Sequence, residues 1–310
     1  MNFNLPVHLL ISAFVCFCCI SCDTRPVQTA STAPSTAPST APASAPATVA
    51  SLAPAATDLI IGMGAADHLV AVSNFDFDRP GLPRLPRVGD YQNTDWERLG
   101  DLRPSFIIVQ MATDRVPAGF RDRATAIGAT IIDIQIEDLA DIGKTLDQLG
   151  AAINEKGKAT DARNRLQARL GAVRKRLASQ APVSTLLALD ERGSSSAGPG
   201  TFLDEILTIA GGKNVLAATS AHWPSIDKER LMALSPDAVV ELLPGASPQA
   251  LAQATGFWAT MPEIPAVANR RIYQITDPWA LTPGIEVADL AEHFAAVLHP
   301  DLSPTTEAKP

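Results

Sequence analysis

Lys158-Ala159-Thr160-Asp161-Ala162-Arg163-Asn164-Arg165-Leu166-Gln167-Ala168-Arg169-Leu170-Gly171-Ala172-Val173-Arg174-Lys175-Arg176-Leu177-Ala178-Ser179-Gln180 is the stretch on which the architecture turns. Leu166, Leu170, Val173 and Leu177 recur at spacings of three and four, with Arg163, Arg165, Arg169, Arg174, Lys175 and Arg176 interleaved. That spacing predicts one amphipathic helix of roughly 23 residues, about 35 Å long. A coiled-coil partner would need more heptads than the stretch holds. On both sides short apolar runs alternate with amphipathic segments, the pattern of α/β units. Upstream, strands are predicted near Val49–Leu52, Leu69–Ser73, Phe106–Val109 and Thr130–Ile134. Helices fall near Ala55–Met63, Asp95–Leu99, Ala118–Ile127 and Ile136–Asn154. Downstream, strands Ser184–Leu189, Ala238–Glu241 and Ile272–Ile275 alternate with helices Thr201–Ala210, Lys228–Leu234, Pro248–Thr255 and Gly284–Leu298.

A single large doubly wound sheet is the alternative, and the polar helix interrupting the strand alternation counts against it. The expected fold class is therefore α/β: two Rossmann-like α/β lobes bridged by a single long helix, with a ligand cleft between the lobes. The divisions expected are an N-terminal lobe over 49–155, the interlobe helix over 156–180 and a C-terminal lobe over 181–300, followed by a polar tail over 301–310.

The chain has 310 residues, with 25 basic against 33 acidic and a net charge of −8. That balance argues against nucleic acid as a partner, which would require a basic face. All four cysteines, Cys16, Cys18, Cys19 and Cys22, lie at the N-terminus, so the body can form neither an internal disulfide nor a Cys-ligated zinc site. The apolar run Leu9–Ile20 is short for a bilayer span and suits the hydrophobic region of an export signal. Cys19-Ile20-Ser21-Cys22 resembles the bacterial lipobox, in which the last cysteine is lipidated and becomes the new N-terminus. The resemblance implies a signal peptide over 1–21 and a lipid anchor at Cys22. Cys19 stands where lipoproteins prefer an aliphatic residue, and no Lys or Arg precedes the run, so simple secretion and an uncleaved anchor remain alternatives. Residues 22–48, rich in Ser, Thr, Ala and Pro, bury too little to fold and read as an extended tether.

Catalytic motifs are weak. Gly62-Met63-Gly64-Ala65-Ala66-Asp67 places an acid where the dinucleotide fingerprint requires Gly or Ala, and Gly64 reads as a helix C-cap. Gly193-Ser194-Ser195-Ser196-Ala197-Gly198 lacks the second glycine of a nucleophile elbow. His8, His68, His222, His293 and His299 include no pair at metal-ligand spacing. No catalytic residue and no metal ligand is expected, although an exported serine hydrolase using Ser194–Ser196 with His222 or His293 stays open. The aromatics are more informative: Tyr91, Trp96, Trp223, Trp258 and Trp279 mostly follow strands, where loops between lobes would wall a cleft for a large, flat, partly apolar ligand. Trp96 and Trp258 are equally well explained as core rings, whereas the polar neighbours of Tyr91 and Trp223 favour exposure.

Several collinear blocks over roughly residues 49–298 resemble one family. Ser51-Leu52-Ala53-Pro54-Ala55-Ala56-Thr57-Asp58, Leu85-Pro86-Arg87-Val88-Gly89, Thr201-Phe202-Leu203-Asp204-Glu205 and Ala210-Gly211-Gly212-Lys213-Asn214 are similar to motifs of the solute-binding proteins that deliver vitamin B12, haem and ferric siderophores to ABC importers. Asp95-Trp96-Glu97-Arg98 and Lys228-Glu229-Arg230-Leu231 match the family's two docking segments. The resemblance implies that Glu97 and Glu229, one per lobe, dock on arginines of the permease. It also implies cleft residues at Tyr91, Trp223, Asp277 and Phe75 or Phe77. Gln110 stands where the B12 binders carry an aromatic ring. Corrinoid is the first expected cargo and a ferric siderophore or haem the alternative, with Tyr91 available as an iron ligand. No cofactor of the protein's own is expected, because the cobalt or iron would arrive within the cargo. The implied partners are the permease with its ATPase, the chelate, and a membrane reached through the lipid anchor; the protein is expected to be a monomer with no enzymatic activity.

Overall fold

The computed structural model describes residues 46–79, 83–111 and 117–302. Cys22, the export segment over 1–21, nearly all of the 22–48 tether and most of the 301–310 tail lie outside them. The described residues of both lobes belong to one compact unit.

In the N-terminal lobe β1 (Val49–Ser51), β2 (Leu69–Ala71), β3 (Phe106–Val109) and β4 (Thr130–Asp133) form a parallel sheet in the order β2-β1-β3-β4. Helices α1 (Pro54–Gly62), α2 (Trp96–Leu102), α3 (Phe120–Ala126) and α4 (Leu139–Ala152) make the crossovers that parallel pairing requires. After α5 (Lys156–Leu177) the C-terminal lobe repeats the plan with β5 (Val183–Ala188), β6 (Gly212–Asn214), β7 (Ala238–Leu242) and β8 (Ile272–Ile275), in the order β6-β5-β7-β8. Its helices are α6 (Phe202–Ile209), α7 (Lys228–Leu234), α8 (Pro248–Trp258), α9 (Pro265–Ala268) and α10 (Val287–Leu298).

Each sheet is covered on both faces, which explains the unbroken apolar runs of its strands. The alternation of side chains sends Val49 and Ile108 into a core that spans both lobes, and Ala50, Ile107 and Val109 into a separate cluster under α2 and α3. Leu187 and Val240 join the shared core in the same way, whereas Leu186, Ala188 and Val239 face a third cluster around Trp258. The shared core is built on α5, whose buried residues Ala159, Ala162, Leu166, Leu170, Val173 and Leu177 follow the three-and-four spacing. Arginines on its exposed side tie it to each lobe. Arg163 pairs with Asp147 of α4, and Arg169 forks onto Asp289 of α10 at 3.0 and 2.8 Å, with Glu292 at 3.0 Å.

Two lobes on separate sheets, joined by one long helix, are what the polar stretch implied. Element ends shift by up to three residues, and three differences bear on the fold. β6 was not anticipated, because Gly212-Lys213-Asn214 carries turn chemistry and pairs only with the edge of β5. The short α9 was also missed; its first residue is Pro265. Helix α10 starts at Val287 rather than Gly284, since Gly284 and Ile285 lie in the contact between lobes described below. Gly64 follows the end of α1 with φ +76, so Leu59–Gly64 is helix and cap, not the strand and turn of a nucleotide site.

Candidate ligand cleft and docking face

In parallel α/β sheets the loops leaving the carboxyl ends of the strands form the binding edge. Here those loops meet across the lobe boundary on two flanks. On the first, the segment after β4 meets the start of α6: the Phe202 amide donates to the Glu137 carbonyl at 2.7 Å, and the Leu139 amide donates to Glu205 Oε2 at 2.7 Å. On the second, the Ile285 amide, between β8 and α10, donates to Asp58 Oδ2 in α1 at 2.5 Å. The space between these flanks is the candidate cleft.

The expected cleft residues are distributed as follows. Trp223 is 44% exposed; its ring lies 6.4 Å from that of Phe202, and its Nε1–H donates to Glu137 Oε1 at 3.0 Å. Tyr91, half-buried in the loop before α2, accepts from Gln92 Nε2 at 3.2 Å. Gln110 sits half-buried at the end of β3. Phe75, at 72% exposure, is the most exposed large apolar residue among the described residues. Phe77 instead lines a cavity of about 580 Å³ beneath the loop after β2, with Thr57, Ile61, Leu69 and Leu85, and carries the Arg79 guanidinium 4.0 Å above its ring. Tyr91, Gln110, Trp223 and Asp277 do not line that cavity. Asp277 Oδ2 stands 3.7 Å from His293 Nδ1, and His293 lies against Trp279 with ring centroids 5.6 Å apart. Trp258 takes the core alternative, whereas Trp96 is half-buried and packs against the cluster under α2 and α3. Trp96 meets Phe120 edge-on at 4.9 Å, and Trp258, 1% exposed, donates to Glu241 Oε1 at 2.6 Å.

The docking candidates show a closer correspondence. Glu97 is the second residue of α2 and Glu229 the second of α7. Each helix is seven residues long, opens on an aspartate cap and closes on a left-handed residue. Asp95 accepts from the Arg98 amide at 3.0 Å and Asp227 from the Arg230 amide at 2.8 Å. The helices end at Arg103 with φ 44 and Ser235 with φ 48. Both glutamates are exposed, and among the described residues neither joins a salt bridge. An acid in the first turn is favoured by the helix dipole, so each carboxylate can stay in water without loss of helix stability.

The structure adds polar groups that sequence reasoning did not assign. Asp58 and Asp76 are buried and share Arg79, at 3.2 and 3.3 Å. Thr57 Oγ1 donates to Asp76 at 3.0 Å. Glu286 stands beside Asp58 with its Oε2 buried and, among the described residues, without a hydrogen-bond partner, and burial together with the Asp58 carboxylate pushes its own carboxyl well above the usual range. The visible signal was Asp58 itself, an acid among the apolar residues of Leu52–Ile61. Glu137 is the other addition, since it bridges the lobes at Trp223 and His222. Ser194 Oγ donates to Asp190 at 2.7 Å, and neither His222 nor His293 has a serine among its partners in the described residues. Groups of three or more candidate metal ligands are absent among the described residues, and no described helix is long and apolar enough to cross a membrane.

The periplasmic binding protein family matches residues 49–278. A vitamin B12-binding protein of Vibrio cholerae serotype O1 is 28% identical over 258 residues, covering 81% of this chain and 88% of its own length. Among solved structures, the periplasmic vitamin B12 binding protein BtuF of Vibrio cholerae shares the fold with a TM-score of 0.68 at 24% identity, over 84% of this chain and 99% of that one. The periplasmic heme binding protein HutB of the same species shares it with a TM-score of 0.69 at 22% identity, over 82% and 99%. With two parallel-sheet lobes on one long helix and a family match over most of its length, the chain belongs to the periplasmic binding protein family.

Proposed function

We propose that the protein is an extracytoplasmic substrate-binding component of an ABC importer, which captures a corrinoid between its lobes and delivers it to the permease without chemical change. The observation that carries the transport role is the matched pair of short helices, each presenting a free glutamate, Glu97 or Glu229, from the same helical position on its lobe. Charge-assisted bidentate pairing of these carboxylates with permease arginines would orient the cleft over the pore. The corrinoid assignment is supported by the match to proteins named for vitamin B12 binding and by the half-exposed Trp223 and Tyr91. Such rings suit a large, flat ligand with an apolar face. Gln110, Phe75 and Asp277 complete the proposed lining, Phe77 being turned toward its side cavity. Lipidation at Cys22 would hold the body near the membrane through the 22–48 tether.

Titration of tryptophan fluorescence with cyanocobalamin, haemin and a ferric hydroxamate tests the cargo. A saturable response to cyanocobalamin at the lowest concentration is expected. Saturation by haemin or the hydroxamate alone would replace the corrinoid with the other cargo, and no response to any of the three would overturn the reading.

A further inference from the structure

We propose that Glu137 is a positioning residue of the cleft: its carboxylate, delivered from the N-terminal lobe, fixes the indole of Trp223 on the C-terminal lobe as a platform for the cargo. The inference rests on the reading of Trp223 as a ring that touches cargo.

Three observations carry it. First, two donors from the C-terminal lobe converge on one oxygen of the N-terminal lobe. Trp223 Nε1 lies 3.0 Å and His222 Nδ1 3.2 Å from Glu137 Oε1. Second, Glu137 has an anchored backbone. Its amide donates to Asp141 Oδ2 at 3.1 Å, its carbonyl accepts the Phe202 amide at 2.7 Å, and two residues on the Leu139 amide is held by Glu205. The carboxylate therefore leaves a chain already stitched to the start of α6. Third, the indole is bounded by Phe202, itself 3% exposed, at a ring separation of 6.4 Å and a tilt of 55°.

Trp223 stands on irregular chain between β6 and α7, where its two side-chain torsions would otherwise sample several wells. With its N–H engaged and Phe202 beside it, the exposed part of the ring keeps one orientation before cargo arrives. Ordering a contact ring in advance lowers the entropy lost on binding. It also means that the indole N–H is not free to donate to cargo, so the ring contributes its face alone. Because donor and acceptor belong to different lobes, the same bond ties the ring's position to the spacing of the cleft walls.

The test uses the full chain with 15N-labelled tryptophan. The chain has four tryptophans, hence four indole N–H resonances, and Trp223→Phe assigns the one of interest. Glu137→Ala is expected to shift that resonance and speed its exchange with water while the other three stay in place. Glu137→Gln, whose side-chain carbonyl still accepts, is expected to restore it. In parallel, Glu137→Ala should raise the Kd for cyanocobalamin about tenfold, equivalent to ~1.4 kcal/mol, and Glu137→Gln should hold it within about twofold. An unmoved Trp223 resonance in Glu137→Ala overturns the proposal, and so does a moved resonance with unchanged Kd. If the parent protein binds none of cyanocobalamin, haemin and the ferric hydroxamate, the functional reading fails, while the indole spectra still decide whether Glu137 holds the ring.

Discussion

Asp58 Oδ2 accepts the Ile285 amide at 2.5 Å across the lobe boundary, joining residues 227 positions apart in the chain. The approach is close enough that a Cβ on Gly284 would stand 1.9 Å from the same oxygen, so only glycine fits there. Asp58 is fully buried, and its charge is met by Arg79 at 3.2 Å. An acid in this place is stable only because both of its oxygens are engaged. It acts as a clasp between α1 of one lobe and the segment that leads into α10 of the other.

Removing the clasp should be expensive. Asp58→Ala leaves Arg79 with Asp76 alone, deprives the Ile285 amide of its acceptor and opens space beneath Gly284. Loss of one partner of a buried ion pair typically costs about 3–5 kcal/mol. Urea unfolding of the variant should show a drop of that size, whereas substitution of the exposed Glu97 should change stability by less than ~0.5 kcal/mol.

The same neighbourhood sets a pH dependence. Burial raises the Glu286 carboxyl, with the adjacent Asp58 adding to the rise, and burial also raises Asp76 despite its contacts with Thr57 and Arg79. A carboxyl raised in the native state keeps its proton where the unfolded chain, titrating near 4.5 for glutamate, has lost it. The unfolded state then binds fewer protons, so these groups make stability fall as pH rises from that ordinary value toward the raised one. Glu286→Gln removes the titration and keeps the shape. Its melting temperature should exceed the parent's by about 2–4 °C near pH 8, with the difference shrinking toward pH 5, as read by calorimetry across the series.

The legibility of these features follows from their range. The long helix, the strands of both lobes and the two short helices near Asp95 and Lys228 rest on spacings within a dozen residues and could be read from periodicity, whereas a docking role for Glu97 and Glu229 comes only from the family resemblance. The edge strand at Gly212–Asn214 could not, because its three residues carry turn signals and only pairing with β5 makes them a strand. The same limit governs the site. Trp223 stood out by type and neighbours, but Glu137, its partner 86 positions away, had no local mark, and Asp58 showed only as an acid in an apolar helix without its contact at Ile285. Trp258 is the converse case: its sequence leaves core and cleft readings equally open, and the structure buries it, 1% exposed, at the end of α8 with a bond to Glu241.

Charge reversal at the docking face separates delivery from capture. Glu97→Arg and Glu229→Arg place cations where the proposed permease arginines would approach, turning each attraction into repulsion. Both side chains are exposed and, among the described residues, outside any salt bridge, so the lobes should fold unchanged. Uptake of cyanocobalamin by cells carrying the double variant should fall to background, while the Kd of the isolated protein stays within about twofold of the parent. A weakened Kd would instead place these glutamates in the cleft.

Two tryptophans allow core and cleft roles to be told apart in one experiment. Trp258→Phe removes the donor to Glu241, a carboxyl that burial already raises and that would keep only Gln274, at 2.9 Å, among its present side-chain donors. Leaving a buried acceptor short of a partner costs about 1–3 kcal/mol, so this variant should lose that much in urea unfolding. Because Trp258 is buried in the cluster around Leu186 and Val239, its cargo titration should match the parent's. Trp223→Phe reverses the outcome. Its ring is 44% exposed and its loss removes one bond to a half-exposed carboxylate, so stability should change by less than ~0.5 kcal/mol. The fluorescence response to cyanocobalamin should shrink by the share that Trp223 contributes, and the Kd should rise. Equal stability losses in the two variants would make Trp223 a packing residue and would remove it from the cleft wall.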